Sequence, residues 1–188
     1  MSSVQDHSDL HLRETVLAEE NLFEGRILTL KRLQVHCADG SEGTREVVVH
    51  HGGAAIVAVT EAGEILLVRQ FRIATGEVLL ELPAGKLELG EDPMDCALRE
   101  IEEETGYRTT QVEPLLQLYV SPGYTSELLH IFLAENLHEG RQNFDEGEVL
   151  DLVKMPLDEA LAAIRRGEIR DAKTVSGIMA YALRTKRD

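Results

Sequence analysis

Three glutamates near the middle of the chain, Glu100, Glu103 and Glu104, have the residue type and spacing for chemistry. Three and four residues apart, they share one face of any helix that carries them. Like charges at that spacing repel, and these crowd toward the end of the predicted helix, where the macrodipole disfavours anions. Met94, Ala97, Leu98 and Ile101 supply the opposing apolar stripe. A face kept against its own local stability points to a use. Hard oxygen donors at this density suit Mg²⁺, with Mn²⁺ able to substitute. An isolated acidic run is usually a solvated helix face. That reading leaves unexplained the loop from Gly85 to Glu91 before the helix and the arginine, Arg99, before the cluster.

The elements around this helix can be read from turn signals and periodicity. Asp92 is a natural N-cap, Pro93 suits the first helical position, and Gly106 ends the helix. Before it come an apolar run at Ala54–Val59 and another at Ile65–Phe71, read as a hairpin with one buried face, and a short strand at Glu77–Leu82. After it come strands around Leu115–Val120, Leu128–Ala134 and Val149–Met155. A helix follows from Pro156-Leu157-Asp158 to about Arg166, and a last helix, Lys173–Leu183, is capped by Asp171. Upstream, Arg26–Cys37 and Arg45–His51 read as strands joined by the turn Ala38-Asp39-Gly40-Ser41, with residues 1 to about 12 loosely held. This mixed order predicts an α+β sandwich: a small N-terminal β-lobe over residues 1–51 and a main domain over 52–188.

Composition narrows the partners. Among 188 residues the formal net charge is −15, which argues against nucleic acid and against an anionic membrane surface. An anionic substrate would then need a bound cation. The two cysteines, Cys37 and Cys96, lie far apart with no metal spacing and read as reduced thiols. No apolar run reaches transmembrane length, and the polar start MSSVQDHSDLHLRE has no signal-peptide core, so the cytoplasm is expected. His50, His51 and His130 read as strand residues.

The stretch Gly85–Tyr107, GKLELGEDPMDCALREIEEETGY, resembles the Nudix box, G-x5-E-x7-R-E-U-x-E-E-x-G-U with U a bulky aliphatic. Gly85, Glu91, Arg99, Glu100, Ile101, Glu103, Glu104 and Gly106 all match in register, and Tyr107 departs by being aromatic. The resemblance implies a Nudix fold, a mixed β-sheet sandwich between helices. It implies metal ligation by Glu100, Glu103 and Glu104 with the main-chain carbonyl of Ala84, and bracing by Arg99 and Glu91. Outside the box, Glu81-Leu82-Pro83-Ala84-Gly85, Gln70-Phe71-Arg72, Ser121-Pro122-Gly123-Tyr124 and Gly167–Thr174 (GEIRDAKT) look like ADP-ribose pyrophosphatases, so the likeness spans about residues 22–183. GEIRDAKT also reads plainly as a helix cap.

That likeness implies hydrolysis of a nucleoside-diphosphate sugar, with ADP-ribose giving AMP and ribose 5-phosphate. Arg72 would bind phosphate, a role suited to a planar fork of donors. Arg45 and Glu46 would touch the nucleotide or else form a cross-strand ion pair, and Gly123 would adjoin the substrate. Phe23 would stack on a base or pack in the core. A glutamate of the loop Asp145-Glu146-Gly147-Glu148 would orient or deprotonate the attacking water, Glu148 before Glu146. The resemblance also implies a homodimer that exchanges the N-terminal lobe. The other readings are a pyrophosphatase for another nucleoside-diphosphate sugar, such as GDP-mannose, and a non-catalytic nucleotide-sugar-sensing module. The intact acidic triad and the lack of a basic patch count against the sensor.

Overall fold

The structure, a computed structural model, describes residues 7–143, 147 and 149–186. The chain divides into two compact units. One runs to His50 and takes in Ser121–Ser126; the other comprises His51–Val120 and resumes at Glu127.

The first unit opens with a short 3₁₀ turn at His7–Leu12, inside the stretch expected to be loosely held. It is otherwise a three-stranded antiparallel sheet in the order β1 (Thr15–Glu24), β2 (Leu28–His36), β3 (Glu42–His50). The β2–β3 turn lies at the expected place. There the Asp39 carboxylate accepts the Ser41 N–H at 2.9 Å and the Ser41 hydroxyl at 2.6 Å, a side chain standing in for a backbone turn. Residues 121–126 close the open side of β3. Val48 N–H donates to Tyr124 O at 2.7 Å, Ser126 N–H to Val48 O at 3.0 Å, and His50 N–H to Ser126 Oγ at 3.0 Å. Strand β1 is exposed along most of its length. Phe23 on it is 58% exposed, so core packing, one of its two expected roles, is not what it does.

The second unit holds two main sheets. One has the order β7-β4-β10-β9, with β4 (Gly53–Ala58), β7 (Ala84–Lys86), β9 (Val112–Tyr119) and β10 (Leu128–Ala134). The other has the order β12-β5-β6, with β5 (Glu64–Arg72), β6 (Glu77–Glu81) and β12 (Leu150–Pro156). A two-residue pair, β8 (Tyr107–Arg108) with β11 (His138–Glu139), completes the strands among the described residues. The helices are α1 (Pro93–Glu100), α2 (Leu157–Arg166) and α3 (Ala172–Thr185).

The expected β4–β5 hairpin does not form. One antiparallel bridge, Val59 to Ile65, survives beside the turn, and the strands then part into different sheets. The reason lies in β4 itself. All six of its residues are buried, so both faces need cover, as in the centre of a parallel sheet. β4 accordingly pairs in parallel with β10, Ala54 opposite His130 through Ala58 opposite Ala134. Ala55 and Val57 face a core shared with Ile65, Leu67, Ile131 and Leu133 and with Ala160, Ala163 and Ile178 of α2 and α3. Ala54, Ile56 and Ala58 face a second core with Cys96, Ala97 and Ile101. This α+β sandwich has α1 on one side of β4 and α2 and α3 on the other. No helix among the described residues is long and apolar enough to cross a membrane.

Candidate active site

The site is built around the start and the end of the acidic helix. At the start, Asp92 has extended backbone angles and its carboxylate accepts the Met94 N–H at 2.8 Å, with Pro93 opening the helix. At the end, the regular α-helix expected to run to Gly106 stops at Glu100, and Ile101–Thr105 widens into a π turn. Gly106, at φ 74°, closes it. Widened turns of this kind recur at functional sites and need their loosened carbonyls satisfied. Thr105 Oγ1 donates to Ile101 O at 2.5 Å, Gln142 Nε2 to Glu104 O at 2.9 Å, and Asn143 N–H to Glu103 O at 3.0 Å. The strand-side root of the acidic loop is thereby bonded to the backbone of two of the three glutamates.

Arg99 is the hub of the carboxylates. Its Nε donates to Glu91 Oε1 at 3.1 Å, and its Nη1 donates to Glu100 Oε1 at 2.7 Å and to Glu103 Oε2 at 3.0 Å. Glu91 also accepts the Glu88 N–H at 2.9 Å, which ties the glycine-bearing loop to the helix. Burial alone would pull the Arg99 guanidinium down, but the three carboxylates hold it above its ordinary value. Burial likewise pushes Glu91 up, and the Glu88 N–H and Arg99 more than reverse this, leaving it low. Cys96, on the apolar side, is pushed up by burial to about 12, the behaviour of an inert structural thiol.

Two of the glutamates meet strand β7. Glu104 is 2% exposed and its Oε2 accepts the Ala84 N–H at 3.2 Å. The Glu100 carboxylate lies where a side chain on Gly85 would project: a β-carbon there would sit 1.6 Å from Oε1. No three His, Cys, Asp or Glu side chains among the described residues converge closely enough to hold a metal ion. The donor set, three carboxylates beside the main chain of Ala84, is nonetheless all hard oxygen and fits Mg²⁺ or Mn²⁺ in kind. Arg99 supplies positive charge to Glu100 and Glu103.

The remaining expected residues fall in three places. Arg72, at the end of β5, is bonded through two nitrogens to Glu81 at the end of β6, Nε to Oε1 at 2.8 Å and Nη2 to Oε2 at 2.9 Å. Arg45 on β3 of the first unit bonds Glu14, Nε to Oε2 at 3.0 Å. Exposed Glu46 stands opposite Arg32, whose carboxylate partner is Glu20. Gly123 lies in the Ser121–Tyr124 turn, with open space where a side chain would point. Glu146 and Glu148 lie outside the described residues.

Sequence reasoning gave no role to Glu81 or Lys173. Glu81 is 1% exposed, yet it is a carboxylate. It accepts from Lys173 as well as from Arg72. Burial pushes it up, and the two cations outweigh burial and hold it below the usual carboxylate range. The available signal was a glutamate immediately after the apolar run VLL of the strand EVLLE.

Comparison with known proteins identifies the family. A model of the NUDIX domain matches residues 49–176. An ADP-ribose pyrophosphatase of Bacillus subtilis (strain 168) is 39% identical over 175 residues, covering 92% of this chain and 95% of its own. A methanol dehydrogenase activator of Bacillus methanolicus is 41% identical over 88% of this chain and 90% of its own. A GDP-mannose pyrophosphatase of Cronobacter sakazakii is 41% identical over 70% and 73%. A crystal structure of an ADP compounds hydrolase superposes with a TM-score of 0.81 at 23% identity, covering 93% of this chain and 95% of that one, which supports the fold. The acidic helix is braced by Arg99 and set against Ala84 and Gly85 through Glu104 and Glu100, and the matches establish that the chain belongs to the NUDIX family and is a Nudix pyrophosphatase resembling the ADP-ribose pyrophosphatases.

Proposed function

We propose that the chain hydrolyses the pyrophosphate bond of ADP-ribose, with Mg²⁺ or Mn²⁺, to AMP and ribose 5-phosphate. The observation that carries the reading is the placement of Glu100 and Glu104 against Ala84 and Gly85, with Glu103 beside them on Arg99. The carboxylates of Glu100, Glu103 and Glu104 and the carbonyl of Ala84 would hold the ion. Nudix enzymes are typically dependent on divalent metal; bound there, the ion supplies charge neutralisation at the diphosphate and a more acidic water. Arg72 contacts the diphosphate. A glutamate of the 145–148 loop, Glu148 before Glu146, takes the proton as the water oxygen bonds to one phosphorus and the bridging oxygen leaves with the other. The bonds from Gln142 and Asn143 to the helix end support a loop rooted beside the carboxylates.

The first unit supplies the nucleotide half of the site through Arg45 or Glu46, with Gly123 at its edge, and does so across a homodimer with exchanged lobes. Exposed apolar residues there, Val16, Leu17, Phe23 and Ile27, support a partnered surface. The two free cysteines accord with a cytoplasmic protein. The second reading is a pyrophosphatase for GDP-mannose, favoured by the relatives of that name. A panel of ADP-ribose, GDP-mannose, UDP-glucose, diadenosine polyphosphates and dNTPs with Mg²⁺, resolved by product chromatography, decides between them. Faster turnover of GDP-mannose than of ADP-ribose would overturn the first reading.

A further inference from the structure

Glu81 and Leu82 lie next to each other at the end of β6, and the start of α3, some ninety residues later, grips both. Lys173 Nζ donates to Glu81 Oε2, the same oxygen that accepts Arg72 Nη2. Thr174 Oγ1 accepts the Leu82 N–H at 2.8 Å. Both gripping residues are held in turn by the helix cap. Asp171 Oδ2 accepts from Lys173 Nζ at 3.0 Å, from the Thr174 N–H at 3.0 Å and from the Thr174 hydroxyl at 2.6 Å. The result is a row of alternating charge, Arg72–Glu81–Lys173–Asp171, with Lys173 and Asp171 largely shielded from water and Glu81 wholly so.

Arg72 is the most exposed member of that row, its side chain 39% accessible. Two of its nitrogens are taken by Glu81; the third, Nη1, makes no hydrogen bond among the described residues. A guanidinium held by a bidentate pair has a fixed plane and a fixed outward edge. Lys173 bonds the same Glu81 oxygen as Arg72 Nη2, so it holds in place the carboxylate that sets the plane of the guanidinium and the direction of its exposed edge.

We propose that Lys173 is a positioning residue for Arg72. Acting through Glu81, it fixes the carboxylate that orients the guanidinium, so that Arg72 meets the substrate diphosphate as an aimed cation. The helix cap GEIRDAKT is then part of the substrate site as well as the start of α3. The inference rests on the reading of Arg72 as the diphosphate contact.

The test measures kcat and KM with Mg²⁺ for Lys173→Met, Lys173→Gln and Lys173→Arg. The substrate is whichever of ADP-ribose and GDP-mannose the intact protein turns over faster, and thermal melts run alongside. Lys173→Met is also made in an Arg72→Ala background, since a shared path shows as non-additivity. The expected result is a rise in KM of about tenfold for Lys173→Met with a smaller change in kcat. Lys173→Arg should recover most of it, and the effect should vanish in Arg72→Ala. Lys173→Gln, uncharged but still able to hydrogen-bond, reports the same loss of charge if the methionine variant does not fold. A lowered melting point with unchanged KM, or a KM effect that persists undiminished in Arg72→Ala, overturns the inference alone. An Arg72→Ala protein with unchanged KM and kcat removes the substrate role of Arg72 and the inference with it.

Discussion

Glu100 occupies the space that a side chain at residue 85 would fill: a β-carbon on Gly85 would lie 1.6 Å from Glu100 Oε1. The loop glycine and the helix carboxylate are two halves of one contact. The obstructing atoms belong to a flexible side chain, so the fold can survive a collision that the site cannot.

Gly85→Ala should therefore leave the far-ultraviolet dichroism and the cooperative melt nearly intact while displacing Glu100. Misplacing a ligand by about 1 Å costs on the order of 10²-fold in rate, and kcat should fall by about that much. A Gly85→Ala protein with wild-type kcat would show that Glu100 need not rest where it does.

Chelation should abolish turnover, and Mg²⁺ or Mn²⁺ should restore it. Glu100→Gln and Glu104→Gln should each lose kcat by orders of magnitude, roughly 10²–10⁴-fold, while still folding. Because Arg99 holds Glu100 and Glu103 in the described structure, added Mg²⁺ should also raise the melting temperature of Arg99→Ala. Full activity in excess chelator would end the metal mechanism.

Glu148→Gln should reduce kcat by about 10²–10⁴-fold with little change in substrate binding, the usual worth of a general base. A silent Glu148→Gln with a dead Glu146→Gln moves the role two residues earlier. Two active variants place the base outside this loop.

The Glu81 carboxylate is pushed up by burial and brought below its ordinary value by Arg72 and Lys173. With the folded value depressed, its stabilising contribution is complete above the ordinary carboxylate pKa and disappears as pH falls through the lower, folded one. Urea unfolding of the native protein and of Glu81→Gln, stepped from about pH 6 to about pH 3, should show the gap between them closing toward acid. A gap independent of pH would mean that Glu81 is not charged in the fold.

Light scattering should find a homodimer at low protein concentration. Mixed and re-associated chains carrying Arg45→Ala and Glu104→Gln should partly recover activity, because each heterodimer would keep one intact site. A dimer without recovery would place Arg45 within its own subunit or outside the site, and a fully active monomer would exclude the exchange.

The parts legible in the sequence are those set by short-range rules. Asp92, Pro93, Gly106, Asp171 and the Asp39–Ser41 turn announce themselves because caps and turns need particular residues within a few positions. The acidic face was legible because its spacing conflicts with helix stability. The β4–β5 relationship was not, because an apolar run such as AAIVAV fits a half-buried hairpin as well as a strand covered on both faces; pairing with β10, more than seventy residues later, decided it. The π turn was hidden because its stabilising donors, Gln142 and Asn143, sit far along the chain. Glu81, Arg72 and Lys173 were visible as separate phrases; their convergence is a property of the fold.

Strand β3 and residues 121–126 belong to one unit although most of the second unit's sheet residues lie between them in sequence. During synthesis, β1, β2 and β3 leave the ribosome first, and the Val48 edge stays open until Tyr124 and Ser126 follow. For the time taken to make some seventy-five residues, at about 5–20 residues per second, that edge is an unsatisfied row of backbone donors and acceptors. The N-terminal sheet is thus translated early and finished late, and a ribosome stalled between residues 51 and 120 would display its most adhesive intermediate.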